Sequence, residues 1–146
     1  MNVVSICSGV GLLDLGLEWA GMRTVQFCEI DPYCQGILAQ RFPGVPIHSD
    51  AWTLQPEPCD VIAAGFPCQP FSLAGMGLGA DDPRYLWPAI ARAIRMVRPR
   101  YVILENVPGL LARGLGNAVV PQCAQIVGAR LMQMDRDAAI VDRGAA

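Results

Sequence analysis

Short apolar runs alternate with helical periodicities along the first hundred residues of the chain. Runs rich in Val, Ile or Phe and bounded by Gly, Pro or Asp fall at Asn2 to Cys7, Thr24 to Glu29, Pro46 to Asp50, Asp60 to Gly65 and Tyr101 to Asn106. They predict five strands. Between them, Asp31-Pro32 reads as an N-cap followed by proline at the first helical position, opening a helix toward Phe42. Gly21 fits just past the end of a preceding helix. Trp87, Ile90, Ile94 and Val97 share one helical face, with Arg92 and Arg95 elsewhere, so Pro88 falls in that helix's first turn. Strands alternating with helices imply an α/β domain: a mostly parallel sheet of about five strands, right-handed crossovers and helices on both faces. In such sheets ligands bind at the carboxyl ends of the strands, beside the point where strand order reverses.

Composition narrows the class. The 146 residues are 53% hydrophobic and 16% charged, enough to bury one core. A domain over residues 1–134 is expected, with a flexible tail over residues 135–146. No apolar run is long enough to span a membrane and the amino terminus lacks a signal-like pattern, which points to a soluble cytoplasmic protein. Six scattered cysteines without a C-x-x-C pair, and His48 as the only histidine, suggest neither a zinc site nor a disulfide framework; no metal is expected. All eleven basic residues are arginine, six of them between Arg84 and Arg113, yet the formal net charge is −2. That balance argues against tight DNA binding by this chain alone.

The chemistry-bearing residues fall at the predicted strand ends. Cys7-Ser8-Gly9-Val10-Gly11 follows the first strand and precedes a helix, where glycines let the backbone turn sharply and approach a ligand. Such a turn is also a common tight connection. The glycine spacing (Gly9, Gly11, Gly16) differs from that of a dinucleotide site. Glu29 ends the second strand, 18 residues beyond Gly11, where a carboxylate can accept both ribose hydroxyls of an adenosine; Asp50, ending the third, can accept from an exocyclic amine. Together they predict an adenosine pocket with no phosphate requirement. Gly65-Phe66-Pro67-Cys68-Gln69-Pro70-Phe71-Ser72 follows the fourth strand and Glu105-Asn106-Val107 ends the fifth, which brings a thiol and a carboxylate to one rim. Prolines on both sides of Cys68 favour a rigid, partly exposed thiol, whereas a structural cysteine usually lies within an apolar run.

The order of Ser8-Gly9-Val10-Gly11, Glu29-Ile30-Asp31, Gly65-Phe66-Pro67-Cys68-Gln69-Pro70-Phe71-Ser72, Glu105-Asn106-Val107 and Gly116-Asn117-Ala118-Val119-Val120-Pro121 resembles the ordered motifs of the DNA (cytosine-5)-methyltransferases, through about Met134. The resemblance implies a Rossmann-like fold that binds S-adenosylmethionine and methylates C5 of a cytosine flipped out of double-stranded DNA. Cys68 would attack C6 as a thiolate, and Glu105 would hold the base's N3 and amino edge. Ser8, Gly9, Val10, Gly11, Glu29, Ile30, Asp50, Asn117 and Val119 would bind the cofactor. Pro67, Gln69, Ser72 and Asn106 would position the target base.

Three departures from the family pattern stand out. Cys7 replaces a usual phenylalanine, Leu12 replaces a second glycine, and only ten residues separate Asn106 from Asn117, where the family carries further strands and a target-recognition domain. With the later strands missing, the fifth strand becomes an apolar edge that would seek a second copy or a second subunit. DNA binding by the chain alone is then expected to be weak. Two alternatives accompany the enzyme reading: a remnant or split-enzyme subunit that binds S-adenosylmethionine without methylating DNA on its own, and a nicotinamide-dependent redox domain, which the glycine spacing disfavours.

Overall fold

A computed structural model describes residues 1–66, 86–105 and 121–144. In them β1 (Asn2–Ile6), β2 (Arg23–Cys28), β3 (Ile47–His48), β4 (Val61–Gly65) and β5 (Tyr101–Glu105) form one sheet in the order β3-β2-β1-β4-β5. Every neighbouring pair is parallel. β4 ends at Gly65 as predicted, while β1 and β2 end one residue and β3 two residues short of the predicted bounds, because Cys7 and Glu29 already belong to the turns that leave the sheet. Order reverses between β1 and β4, so their connections depart to opposite sides and open a crevice above their carboxyl ends.

The strands read as near-continuous apolar runs because both faces are covered. Val4, Ile6, Ile62 and Ala64 meet Ile90 and Ala93 of α3 (Trp87–Val97) on one face. On the other, Val3, Val61 and Ala63 meet Leu17 of α1 (Leu12–Trp19) and Leu131 and Met132 of α4 (Pro121–Gly144). Phe27 stacks at 4.9 Å on Phe42, and with Leu38 of α2 (Pro32–Arg41) forms a third cluster under β2. The helix starts follow the sequence signals. Asp31 caps α2 by accepting from the Tyr33 amide at 2.8 Å, Pro32 opens the helix, and Gly21 takes φ +90° just beyond α1.

The segment expected as a tail beyond Met134 is helical as far as Gly144. An ion pair between Arg100 and Asp135 ties this stretch to the residue that precedes β5. α4 rests on α1 through small residues. A Cβ on Gly16 would strike the Pro121 carbonyl oxygen and lie 2.5 Å from the Ala124 Cβ, and one on Gly128 would lie 2.8 Å from the Ala20 Cβ. Only hydrogen at these positions lets the two helices touch.

Asp14, in the first turn of α1, is fully buried. Its carboxylate accepts from the Ser5 hydroxyl of β1 at 3.0 Å and the Thr24 hydroxyl of β2 at 3.3 Å, so it pins α1 across two strands. Burial pushes its pKa up to about 7, against the pull of those two hydroxyls.

Two predictions follow from these contacts. Gly16→Ala, although it favours helix intrinsically, should destabilise the fold by about 1–3 kcal/mol through overpacking against α4; Gly36→Ala, in α2 with open space at its Cβ, should gain about 0.5–1 kcal/mol, both read from urea unfolding. For Asp14 the folded pKa lies above the unfolded one, so its contribution is complete below about pH 4 and is lost as pH rises through about 7. Thermal stability should therefore fall between pH 5 and pH 8 by an amount on the order of a few kcal/mol in the wild type and by much less in Asp14→Asn.

Candidate active site

The crevice over the switch point holds a cavity of about 360 Å³. Each strand from β1 to β4 contributes its carboxyl end: Cys7 and Gly9 after β1, Cys28, Glu29 and Ile30 at β2, Ser49, Asp50, Ala51 and Trp52 after β3, and Gly65 of β4, with Leu86 ahead of α3. The chain leaves β1 through two left-handed residues, Cys7 at φ +56° and Gly9 at φ +55°. For cysteine this conformation is unfavourable, and it is held by the Cys7 amide donating to the Cys28 carbonyl at 2.8 Å.

Glu29 is the electrostatic centre of the cavity. It is 8% exposed, and its carboxylate accepts from the Gly9 amide at 2.7 Å and from the Asp31 amide at 2.9 Å, one bond on each oxygen. Each oxygen keeps a further lone pair for a ligand hydroxyl. Asp50 is engaged as well: it accepts from the Trp52 amide at 2.9 Å and from the Thr53 hydroxyl at 3.1 Å. Burial, with Glu29 adding repulsion, pushes the Cys7 and Cys28 thiols up to about 12, so both stay protonated and form an apolar floor rather than nucleophiles. Among the described residues that line the cavity none is cationic. Two carboxylates, an apolar floor and no cationic lining fit a nucleoside with free hydroxyls and a positive charge.

Of the residues predicted to bind cofactor, Gly9, Glu29, Ile30 and Asp50 line this cavity. The other three in the β1 loop shape it from behind. The Ser8 hydroxyl donates to the Ser5 and Cys28 carbonyls, the Val10 carbonyl accepts from Arg41 at 3.3 Å, and Gly11 takes φ +78° where a Cβ would strike Phe42 and Leu38 at 2.7 and 2.8 Å. Asn117 and Val119 lie outside the described residues, as do Cys68, Pro67, Gln69, Ser72 and Asn106. Sequence reasoning did not single out Cys28, Ser49, Ala51, Trp52 or Leu86 as lining residues. The run Ala51-Trp52 directly after Asp50 was the available signal; for Cys28 and Leu86 there was none.

Glu105 is described, and it reaches the rim. Its partner across the β4–β5 ladder is Gly65, and a Cβ on Gly65 would sit 3.4 Å from a Glu105 carboxylate oxygen. Phe66, the last described residue before the Pro-Cys segment, packs against Trp87 at the start of α3 with ring centroids 6.2 Å apart. Among the described residues no helix is long and apolar enough to cross a membrane, and no group of three or more His, Cys, Asp or Glu could hold a metal ion.

Comparison with known proteins agrees with this layout. The chain is 41% identical over 125 residues to the Type II methyltransferase M2.BsuMI of Bacillus subtilis, covering 82% of this chain and 32% of that protein. It is 42% identical over 112 residues to the Type II methyltransferase M.NgoMIV of Neisseria gonorrhoeae, covering 74% of this chain and 36% of the relative. The chain thus spans about a third of the length of these curated relatives. The crystal structure of the S. pombe Dnmt2 methyltransferase superposes with a TM-score of 0.60 at 25% identity, over 75% of this chain and 37% of that one. Residues 1–125 match the profile of the C-5 cytosine-specific DNA methylases, and the chain belongs to that family.

Proposed function

We propose that this chain is the cofactor-binding and catalytic part of a DNA (cytosine-5)-methyltransferase, with Cys68 as nucleophile and Glu105 as the residue that holds the target base. The observation that carries the reading is the register of β4 and β5. Gly65 lines the cavity, Glu105 stands beside it on the next strand, and Cys68 follows Gly65 by three residues in the sequence. A carboxylate and a nucleoside-shaped cavity therefore share one rim, and the Pro-Cys motif follows directly in sequence from the strand that ends on it.

S-adenosylmethionine, when bound, supplies an electrophilic methyl group on a positively charged sulfur. Glu29 would take the ribose hydroxyls on its free lone pairs, Ile30 and Ala51 would offer apolar contact, and the two carboxylates would favour a cation. The Cys68 thiolate forms a bond to C6 of the cytosine, which places the displaced electron pair on C5 and makes that carbon nucleophilic toward the methyl group. Glu105, at the base's N3 and amino edge, stabilises the charge developed by that attack. A base then takes the C5 proton, the C6–S bond breaks, and the thiolate is restored. The cytosine must leave the duplex first, because C6 is closed to a thiol while stacked. Pro67, Gln69, Ser72 and Asn106 would orient the base, and Ser8, Gly9, Val10, Gly11, Asp50, Asn117 and Val119 would complete the cofactor site.

A second reading, a subunit that binds cofactor but methylates only in company, is favoured by β5. Among the described residues β5 is an edge strand, and its Val102 and Leu104 share the face of Ile62 and Ala64 yet remain 40% and 44% exposed. An apolar edge with unpaired backbone groups favours pairing with a second copy or a separate polypeptide that carries the DNA-reading surface. The two readings differ in what the chain does alone.

Incubated with cofactor and a mixed-sequence duplex containing 5-fluorocytosine, the chain should form a covalent adduct that denaturing electrophoresis detects and Cys68→Ala abolishes, since fluorine at C5 blocks the final elimination. An adduct that persists in Cys68→Ala overturns the assignment of the nucleophile; no adduct from the chain alone favours the subunit reading. Light scattering at micromolar concentration should show species larger than a monomer, and a monodisperse monomer removes self-association through β5.

A further inference from the structure

We propose that Trp52 is the aromatic wall on which the adenine ring of the cofactor stacks. The inference rests on the reading of the cavity as an adenosine site and adds to it the residue that grips the base. Among the described lining residues Trp52 is the only aromatic side chain, and it is 50% exposed. A half-exposed indole is a large apolar surface left in water, and it gains most from a flat partner laid against it.

The segment that carries the ring is fixed before any ligand arrives. The Asp50 carboxylate takes the Trp52 amide at 2.9 Å and the Thr53 hydroxyl at 3.1 Å, and the Thr53 hydroxyl also lies 3.0 Å from Nε2 of His48 at the end of β3. The backbone around Trp52 is thus tied to the sheet through three side chains. A preorganised aromatic loses little conformational freedom on binding, which is where stacking surfaces gain affinity.

The surroundings select the kind of ring. Ile30, 78% exposed, adds a second apolar face to the same cavity, and the Cys7 and Cys28 thiols add a third. The charged groups are the carboxylates of Glu29 and Asp50, which accept and do not donate, and Ser49 adds a hydroxyl. A flat heteroaromatic with amino and hydroxyl donors at its edges meets both conditions; an aliphatic ligand offers no flat face to the indole. Adenine with its ribose is such a group.

The test titrates the full chain with S-adenosylhomocysteine by calorimetry. It also follows indole emission in a variant whose only tryptophan is Trp52, made by Trp19→Phe and Trp87→Phe. Binding should quench that emission. Trp52→Ala should weaken binding about ten-fold, the scale of a lost base-aromatic stack, and Trp52→Phe should keep most of the affinity. Methylthioadenosine, which lacks the amino-acid arm, should lose the same factor in Trp52→Ala, because the wall touches only the ring. Wild-type affinity in Trp52→Ala, or unquenched emission while calorimetry records binding, overturns the role of Trp52 and leaves the cofactor reading standing. A wild-type chain that takes up neither ligand overturns the cofactor reading and this inference with it. The quenching arm does not depend on Trp52→Ala folding.

Discussion

Two backbone N–H groups from different turns, those of Gly9 and Asp31, converge on the buried carboxylate of Glu29. That convergence is what gives the strand ends a shared geometry. Without it the left-handed turn after β1 and the helix start after β2 would be independent loops, and the cavity between them would have no fixed mouth. Charge-assisted bonds to a carboxylate are about twice as strong as neutral ones. Placing them at the switch point therefore concentrates order where a ligand must be read. The same carboxylate keeps lone pairs free, so the group that builds the site is also available to use it.

The rest of the fold serves that rim from below. Asp14 fixes α1 to β1 and β2 by two hydroxyls, and the glycine contacts at Gly16 and Gly128 let α4 lie directly on α1. α4 follows the Asn-Ala-Val-Val motif in sequence, so its close seat brings that part of the chain back to the helix that leaves the β1 loop. On the opposite face Arg92 of α3 donates to the Leu54 carbonyl at 2.6 Å, tying that helix to the segment after Trp52. Both covering layers are thereby anchored to turns that shape the cavity.

The edge at β5 is the counterpart of this closed centre. Its inner face carries Tyr101 and Ile103 against the α1–α4 layer, while Val102 and Leu104 stay open. A parallel edge strand that ends on the carboxylate proposed to hold the target base couples two demands: the backbone favours a partner, and that role would need Glu105 in a fixed position.

Periodicity and turn chemistry carried much of the architecture. The five strands, the Asp31-Pro32 helix start, the turn at Gly21 and the placement of Glu29, Asp50 and Glu105 at strand ends were all legible in the sequence, because each depends on local backbone preference and on alternation of burial. Motif order carried the family. Strand order, and therefore which ends meet, was decided by tertiary structure: only packing of helices on both faces sets β1 beside β4 and Glu105 beside Gly65. Packing also decided which residues of the Ser-Gly-Val-Gly loop line the cavity. Gly9 does, whereas Gly11 is spent on the approach of Phe42. Helix continued past Met134, where composition suggested a tail, and an ion pair to Arg100 links that stretch to the body. Trp52 and the two thiols of the floor come from segments with no common motif, so their meeting is a property of the fold alone.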